Sequence, residues 1–179
     1  FIKSGTTMEI LAKLRPAFRK EGGSVTAGNA SGLNDGSAAL LLANEAGLTS
    51  SDLHPLAQII SSAVVGVEPR IMGIGPVRAS EIALQRAGIT FDDLDVIELN
   101  EAFSAQALAC IRSMNIADDD ARINPNGGGI SIGHPLGVSG SRILLAAARQ
   151  LNRIGGKFAL VTLCIGVGQG YAVVIKNAQ

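Results

Sequence analysis

Three residues of this 179-residue chain carry side chains that could do chemistry together: Cys164 and His134, each beside several glycines, and Asn100, at the end of a predicted strand. Cys164 ends an apolar run and is followed by Ile-Gly-Val-Gly-Gln-Gly. The unperturbed pKa of a thiol, about 8.5, allows either protonation state to be used near neutral pH. Glycine N–H groups can approach a substrate oxygen closely because no Cβ intervenes. A buried structural cysteine before a hairpin turn would have the same local sequence.

His134 and Asn100 occupy two further stretches that suit a ligand site. Four of the eight residues before His134 are glycine, and Pro135 disfavours the α conformation for His134, which predicts a fixed, extended loop. Asn100 ends a predicted strand, at the edge of an α/β sheet where ligands bind. The alternative for Asn100 is a helix N-cap. The other histidine, His54, precedes a proline in a polar loop and is interpreted as a surface residue.

A thiol, an imidazole and an amide on three separate loops suit acyl chemistry, and two mechanisms would use them. In the first, Cys164 is a nucleophile activated by His134. In the second, Cys164 moves protons while another residue carries the acyl group. The sequence spacing leaves both open. Cys110 falls on an apolar helical stripe that is expected to face the core, and we assign it no role.

The hydrophobic periodicity predicts an α/β domain in which a mixed sheet is covered by helices. Five strands are expected, with the last two forming an antiparallel pair around the glycine-rich turn that follows Cys164. The predicted strands cover residues 38–43, 58–65, 94–99, 158–164 and 171–175. The predicted helices cover residues 6–18, 76–87, 102–114 and 139–151, and Pro16 should end or kink the first of them near its last turn. Residues 21–36 are too rich in Gly, Asn and Ser for regular structure, and so long a loop is typical of a functional segment.

Composition excludes several classes of function. Fifteen basic residues balance 15 acidic ones, so no net field attracts nucleic acid or an anionic membrane. No apolar run reaches the roughly 20 residues that span a bilayer, and no signal peptide is evident, so we interpret the protein as cytoplasmic. The two cysteines form no ligand-spaced cluster, which favours free thiols and no metal site. Because the chain opens with Phe1 and runs directly into a helical pattern, we interpret it as a piece of a longer protein.

Three sequence blocks resemble the C-terminal signatures of the thiolases, acyl-CoA acyltransferases that cleave or form 3-ketoacyl-CoA. They are Asn-Glu-Ala-Phe at 100–103, Gly-Gly-Gly-Ile-Ser-Ile-Gly-His-Pro at 127–135 and Cys-Ile-Gly-Val-Gly-Gln-Gly at 164–170. Residues 26–36 and 71–76 also resemble family blocks, in the same order. The resemblance implies a thiolase-like C-terminal domain at 34–179. Residues 1–33 would be the end of a loop region that contributes to coenzyme A (CoA) binding.

The resemblance also implies a division of labour. A nucleophilic cysteine in an earlier half, absent from this chain, would take the acyl group, and Cys164 would act as general acid and base. His134 would increase the thiolate character of that nucleophile and donate to the thioester oxygen of the CoA ester. Asn100 would hold the water that completes this oxyanion site, and the Gly166 N–H would contribute to a second one. The chain alone would therefore be inactive.

Further residues are implied for binding CoA, which is a substrate here and not a resident cofactor. Ser31 and Ala27 would touch the pantetheine arm. The apolar neighbours of the pantetheine or acyl chain would be Phe18, Leu33, Met72 and Phe103. The alternative for Phe18 and Leu33 is ordinary packing.

The blocks within the family resemble degradative thiolases, including those that act on 3-oxoadipyl-CoA. Dimers or tetramers are typical of the family, so the longer protein is expected to be a homo-oligomer whose partners are acyl-CoA, CoA and the earlier half of the chain. Two rival functions stay open. One is a hydrolase that uses Cys164 as nucleophile, and the other is a non-catalytic CoA-binding or assembly module.

Overall fold

The computed structural model describes residues 3–179 and contains one mixed four-stranded sheet. In chain order the strands are β1 (Ala57–Gly66), β2 (Val96–Leu99), β3 (Phe158–Ile165) and β4 (Gln169–Asn177). Their order across the sheet is β1-β4-β3-β2. β2 is parallel to β3, whereas β4 is antiparallel to both of its neighbours. The predicted mixed sheet and the predicted antiparallel final pair are therefore confirmed.

Helices lie on both faces of the sheet. The helices are α1 (Met8–Ala12), α2 (Glu45–Thr49), α3 (Gly75–Ala87), α4 (Ser104–Ser113), α5 (Gly129–Ile132) and α6 (Ser139–Ile154). Two short 3₁₀ segments cover Pro69–Ile74 and Phe91–Asp93. α3 ends at Gly88, whose φ of 70° is the left-handed conformation that glycine adopts without strain. No helix within residues 3–179 is long and apolar enough to cross a membrane.

The strands alternate their side chains between two apolar cores, as the period of two in a β-strand requires. On β3, Leu160 faces the core formed with α3 and α4, whereas Ala159 and Val161 face the core formed with α6. All three side chains are nearly inaccessible to solvent. Because both faces of the sheet are covered, β3 is apolar almost throughout, which is why its sequence predicted a strand so clearly.

Two predictions near the start of the chain are wrong. Residues 38–43 form no strand, and among the described residues no strand pairs with them, so the sheet has four strands and not five. Leu41 and Leu42 are 80% and 71% exposed. The predicted helix at 6–18 is only α1, because Pro16 pairs with Thr26 in an antiparallel bridge instead of extending the helix.

The parallel pairing of β2 with β3 brings two of the sequence blocks to one edge of the sheet. Leu99 pairs with Thr162, and the N–H of Asn100 donates to the carbonyl oxygen of Thr162 at 3.0 Å. Cys164 follows two residues later on β3. The carboxyl ends of both strands, with Asn100 and Cys164, therefore lie side by side, as expected for a ligand site in an α/β sheet.

Candidate active site

Asn100 and His134 meet in a buried hydrogen bond. The Nδ2 of Asn100 lies 3.2 Å from the Nε2 of His134, and the two residues are only 1% and 8% exposed. The N-cap alternative for Asn100 is wrong, because α4 begins at Ser104 with Phe103 in the cap position. The side chain of Asn100 therefore does not cap α4 and contacts His134 instead. Its Oδ1 is buried and has no protein partner, which fits an acceptor for a polar ligand atom or a water.

The other imidazole nitrogen is hydrogen-bonded to Ser139, the first residue of α6. The Nδ1 of His134 lies 2.6 Å from the Oγ of Ser139, which is completely buried. That hydroxyl is in turn 3.1 Å from the carbonyl oxygen of Pro135. The pKa of His134 is lowered from its ordinary value, first by burial and then by the positive charge of Arg142. The imidazole is thus fixed at both nitrogens and favoured in its neutral form.

The glycine-rich loop supports the same histidine with its backbone. The N–H of His134 donates to the carbonyl oxygen of Gly32 at 3.0 Å and to the Oδ1 of Asn34 at 3.2 Å. Leu33 pairs with His134 in a parallel bridge. This contact explains the long irregular segment, because its backbone fixes the loop that presents the imidazole.

The same loop also runs beside the block that contains Asn100. Ala30 pairs with Phe103 in an antiparallel bridge, and the N–H of Ser31 donates to the carbonyl oxygen of Ala102 at 3.0 Å. Phe18 stacks edge-on against Phe103, with ring centroids 5.9 Å apart and planes at 85°. Two of the residues predicted to bind CoA, Phe18 and Phe103, are therefore in contact, and the backbone of a third, Ser31, lies beside Ala102.

The remaining predicted CoA contacts are distributed around this group. Leu33 is 82% exposed and Phe18 is 74% exposed, so neither is an ordinary core residue. Ala27 is also exposed, on the same loop. Met72 is half-buried and lies apart, in the 3₁₀ segment beside α4. The structure thus groups the loop residues with Phe103 and leaves Met72 on a separate element.

Cys164 is a buried thiol at the end of β3. It is 8% exposed and pairs with Gly170 across the hairpin. Burial raises the pKa of Cys164 above its ordinary value, with a smaller opposing effect from a backbone hydrogen bond. A thiol in this environment retains its proton, which suits a general acid better than a nucleophile.

The glycines after Cys164 have different physical roles. Gly168 has a φ of 95°, and a Cβ there would collide with the carbonyl oxygen of Val67. A Cβ at Gly170 would collide with the backbone of Gly75. The backbone contacts at these two positions therefore leave no room for a side chain. Gly166, in contrast, is exposed, and a Cβ there would meet nothing within 4 Å. Only at Gly166 is the space beside the backbone open to a substrate.

Cys110 is a core residue, as predicted. It is fully buried in α4, and its Sγ lies 3.1 Å from the carbonyl oxygen of Gly73. Burial raises its pKa to about 11. Both cysteines are free thiols, and His54 is exposed as expected.

The sequence interpretation missed a group of buried polar residues behind the site. Glu98 on β2 is 2% exposed, and burial raises its pKa to about 7 against the opposing charge of Arg142. The Nη1 of Arg142 donates to the carbonyl oxygen of Gly133, the residue before His134, at 2.9 Å. A glutamate in an otherwise apolar strand was the available signal for Glu98. No sequence signal indicated Ser139 or Arg142, because helix periodicity does not show what a polar side chain contacts.

Two further missed residues join the loops of the first and second blocks. The Nδ2 of Asn124 donates to the carboxylate of Glu101 at 2.6 Å. The Oδ1 of Asn124 accepts from the N–H of Leu99 at 2.9 Å, so this side chain also satisfies the end of β2. Glu101 follows Asn100 directly in the sequence. It therefore links the strand end that presents the amide to the loops around it.

Comparisons with known sequences identify the family. The family described as thiolase, C-terminal domain, matches residues 53–177, and the one described as thiolase, N-terminal domain, matches residues 1–46. The chain belongs to the thiolase family. The domain division at residues 33 and 34 stays a prediction.

Individual relatives support this membership. The chain is 56% identical over 175 residues to a beta-ketoadipyl-CoA thiolase of Acinetobacter baylyi, covering 98% of this chain and 43% of the relative. It is 52% identical to the 3-oxoadipyl-CoA/3-oxo-5,6-dehydrosuberyl-CoA thiolase of Escherichia coli, covering 98% of this chain and 44% of the relative. The chain therefore spans less than half the length of these relatives.

A solved structure shows the same fold. Human mitochondrial 3-ketoacyl-CoA thiolase in complex with CoA superposes with a TM-score of 0.95 at 48% identity, covering 99% of this chain and 44% of that chain. The predicted thiolase-like α/β fold is confirmed.

Proposed function

We propose that this chain supplies the acid–base part of a thiolase active site. The longer protein would cleave 3-ketoacyl-CoA with CoA to give acetyl-CoA and a shortened acyl-CoA, or catalyse the reverse condensation. The observation that carries the proposal is the buried contact between Asn100 and His134 at 3.2 Å. It joins the amide of one block to the imidazole of another at the sheet edge that ends in Cys164.

The first half-reaction transfers the acyl group. A nucleophilic cysteine outside these 179 residues attacks the 3-keto carbon, and the bond between C2 and C3 breaks with its electrons moving to C2. Cys164 gives its proton to that carbon, which releases acetyl-CoA. The raised pKa of Cys164 supports this role, since the thiol holds a proton until a strong base forms beside it.

The second half-reaction returns the proton. The thiolate of Cys164 takes a proton from the thiol of the incoming CoA. This transfer is favourable because burial raises the pKa of Cys164 above that of an ordinary thiol. The CoA thiolate then attacks the acyl group and frees the nucleophilic cysteine. The open space beside Gly166 supports its N–H as a donor to the acyl carbonyl at this stage.

His134 and Asn100 act on the other carbonyl oxygen. The neutral imidazole takes the proton of the nucleophilic cysteine and then donates it as a hydrogen bond to the thioester oxygen of the CoA ester. The unpartnered Oδ1 of Asn100 supports a bound water as the second donor. Each donor of this type typically contributes about 3 kcal/mol to the transition state.

The substrate proposal rests on relatives. Those at 56% and 52% identity are named for beta-ketoadipyl-CoA and 3-oxoadipyl-CoA, so we propose a dicarboxylic 3-ketoacyl-CoA as the substrate class. We further propose that Ser31, Ala27, Leu33, Phe18, Met72 and Phe103 contact the pantetheine arm or acyl chain. The exposed Phe18 and Leu33 support this, because each side chain leaves apolar surface uncovered among the described residues.

Neither cysteine of this chain has the lowered pKa that is typical of a nucleophilic thiol. Cys110 is fully buried with a pKa raised to about 11, and Cys164 is itself held protonated. A hydrolase that uses Cys164 would need a lowered pKa instead. The partners we propose are therefore the earlier half of the chain and, in the longer protein, further copies of itself.

A thiolysis assay tests the proposal. The longer protein and the 179-residue chain are each incubated with 3-oxoadipyl-CoA and CoA, and acetyl-CoA is quantified by chromatography. We expect turnover by the longer protein and none by the 179-residue chain. Cys164→Ala in the longer protein should reduce turnover by at least about 10². Turnover by the short chain, or full activity of the variant, would contradict the proposal.

A further inference from the structure

The hydroxyl of Ser139 lies between two groups that compete for its single proton. Its Oγ is 2.6 Å from the Nδ1 of His134 and 3.1 Å from the carbonyl oxygen of Pro135. If the hydroxyl donates to Pro135, it must accept a hydrogen bond from Nδ1–H. If it donates to Nδ1, the imidazole proton must be on Nε2. The direction of this one bond therefore decides which tautomer His134 adopts.

The two arrangements leave different atoms of Asn100 unsatisfied. With the proton on Nδ1, Nε2 accepts from the Nδ2 of Asn100 at 3.2 Å, and only the Oδ1 of Asn100 is left without a partner. With the proton on Nε2, the amide must turn over so that Oδ1 accepts, and its NH₂ group then loses that acceptor. Unpaired buried N–H groups are rarer than under-satisfied carbonyl oxygens. The first arrangement is therefore favoured.

We propose that Ser139 is a positioning residue that accepts a hydrogen bond from Nδ1–H of His134 and so keeps the lone pair of Nε2 directed at Asn100 and the catalytic edge of the sheet. The proposal deepens the proposed function and rests on it only for its catalytic consequence. In order to act as a base, Nε2 must exchange its hydrogen bond from the amide of Asn100 for one from the thiol whose proton it takes.

The surroundings of His134 support a neutral ring with a fixed tautomer. The charged side chain that acts on the imidazole is Arg142, which is bonded to Gly133 and disfavours a second proton on the ring. Ser139 is 0% exposed and begins the 16-residue helix α6. Its hydroxyl is therefore held in place by a long packed element, and rotation of the ring would break the bonds at both nitrogens.

The direct test is nitrogen NMR of the 179-residue chain, uniformly labelled with ¹⁵N. Long-range correlations between ring protons and nitrogens distinguish a protonated from an unprotonated ring nitrogen, and with two histidines in the chain, exposed His54 supplies an internal reference. At pH 8 we expect Nδ1 to be protonated and Nε2 to be bare in His134. A spectrum with the proton on Nε2 would overturn the proposal, with no variant needed.

Variants show whether Ser139 is the cause. Ser139→Ala should raise the population of the Nε2-protonated tautomer about tenfold, which is what the loss of one hydrogen bond of typical strength allows. Ser139→Thr keeps a hydroxyl and should restore the original spectrum. Ser131→Ala is the matched control, because its Oγ bonds only to the carbonyl oxygen of Gly128 among the described residues and should leave His134 unchanged. An unchanged tautomer in Ser139→Ala would refute the causal role.

The catalytic consequence is measured separately in the longer protein. Ser139→Ala should lower kcat with little change in KM, in proportion to the fraction of His134 that shifts to the Nε2-protonated tautomer. If the tautomer is as proposed but the longer protein shows no thiolysis, the proposed function fails and the tautomer assignment stands. If thiolysis occurs while the proton lies on Nε2, this inference alone fails.

Discussion

The carboxylate of Glu101 accepts a hydrogen bond from the backbone N–H of Ile130 at 3.2 Å, although the two residues are 29 positions apart. Ile130 lies in the short helix α5, just before the loop that carries His134. Glu101 directly follows Asn100. This contact therefore ties the loop of the amide to the loop of the imidazole, and it stabilises the relative positions of the two side chains that define the site.

Removing Glu101 should destabilise the chain. In Glu101→Ala, the N–H of Ile130 and the Nδ2 of Asn124 both lose an acceptor, so we expect a loss of about 2–3 kcal/mol in the free energy of unfolding. Urea denaturation followed by circular dichroism measures it. Glu68→Ala is the control, since its ion pair with Arg70 is exposed and its loss should change stability by less than about 1 kcal/mol. Equal effects of the two substitutions would refute the tie between the loops.

The buried carboxyl of Glu98 should make stability depend on pH. Its pKa rises from 4.5 to about 7 on folding, so between these values the folded chain keeps a proton that the unfolded chain has released. Stability therefore falls as pH rises through this window, by up to about 3 kcal/mol above pH 7. Burial of His134 acts in the opposite direction below pH 6.5.

The Glu98→Gln variant isolates this effect, because it removes the titration of Glu98 and leaves that of His134. We expect the variant to lose less stability than the wild type between pH 5 and pH 8, as measured by urea denaturation at unit pH intervals. Parallel curves for the two proteins would show that Glu98 has an ordinary pKa.

The two thiols should differ in reactivity. Cys164 is 8% exposed and Cys110 is 0% exposed with a pKa of about 11. Alkylation of the folded chain by iodoacetamide at pH 8, followed by peptide mass spectrometry, should label Cys164 at least about tenfold faster than Cys110. In urea the two rates should converge. Faster labelling of Cys110 in the folded chain would contradict its place in the core.

The glycines after Cys164 should tolerate substitution unequally. Gly166→Ala fills open space and should change the free energy of unfolding by less than about 0.5 kcal/mol. Gly168→Ala places a side chain at a φ of 95° against the backbone of Val67 and should cost more than about 2 kcal/mol. Thermal denaturation of the two variants checks this. Equal losses would show that Gly166 is also needed for folding.

Much of the fold follows from local patterns. The helix predicted at 76–87 agrees closely with Gly75–Ala87, because a proline near its start and a glycine after its end mark the boundaries. The strand predicted at 158–164 agrees closely with Phe158–Ile165, because its residues are apolar. The strand prediction for residues 38–43 was wrong because an apolar composition predicts burial, whereas a strand also needs a hydrogen-bonded partner. Among residues 3–179 none pairs with this segment.

The site was only partly accessible to sequence reasoning. His134 stood out because it follows several glycines, and Asn100 because it ends a predicted strand; the structure brings these two side chains together. Ser139, Glu101 and Asn124 did not, because their importance lies in hydrogen bonds across the fold. Such contacts depend on how loops are arranged in space and not on the periodicity of the chain.

The position of the acyl group during turnover distinguishes a proton-carrying Cys164 from a nucleophilic one. The longer protein is mixed with 3-oxoadipyl-CoA, quenched with acid and digested, and the acylated peptide is identified by mass spectrometry. We expect the acyl group to be attached to a cysteine outside these 179 residues and Cys164 to be unmodified. An acyl group on Cys164 would refute its role as proton carrier, since Cys164 would then be the nucleophile.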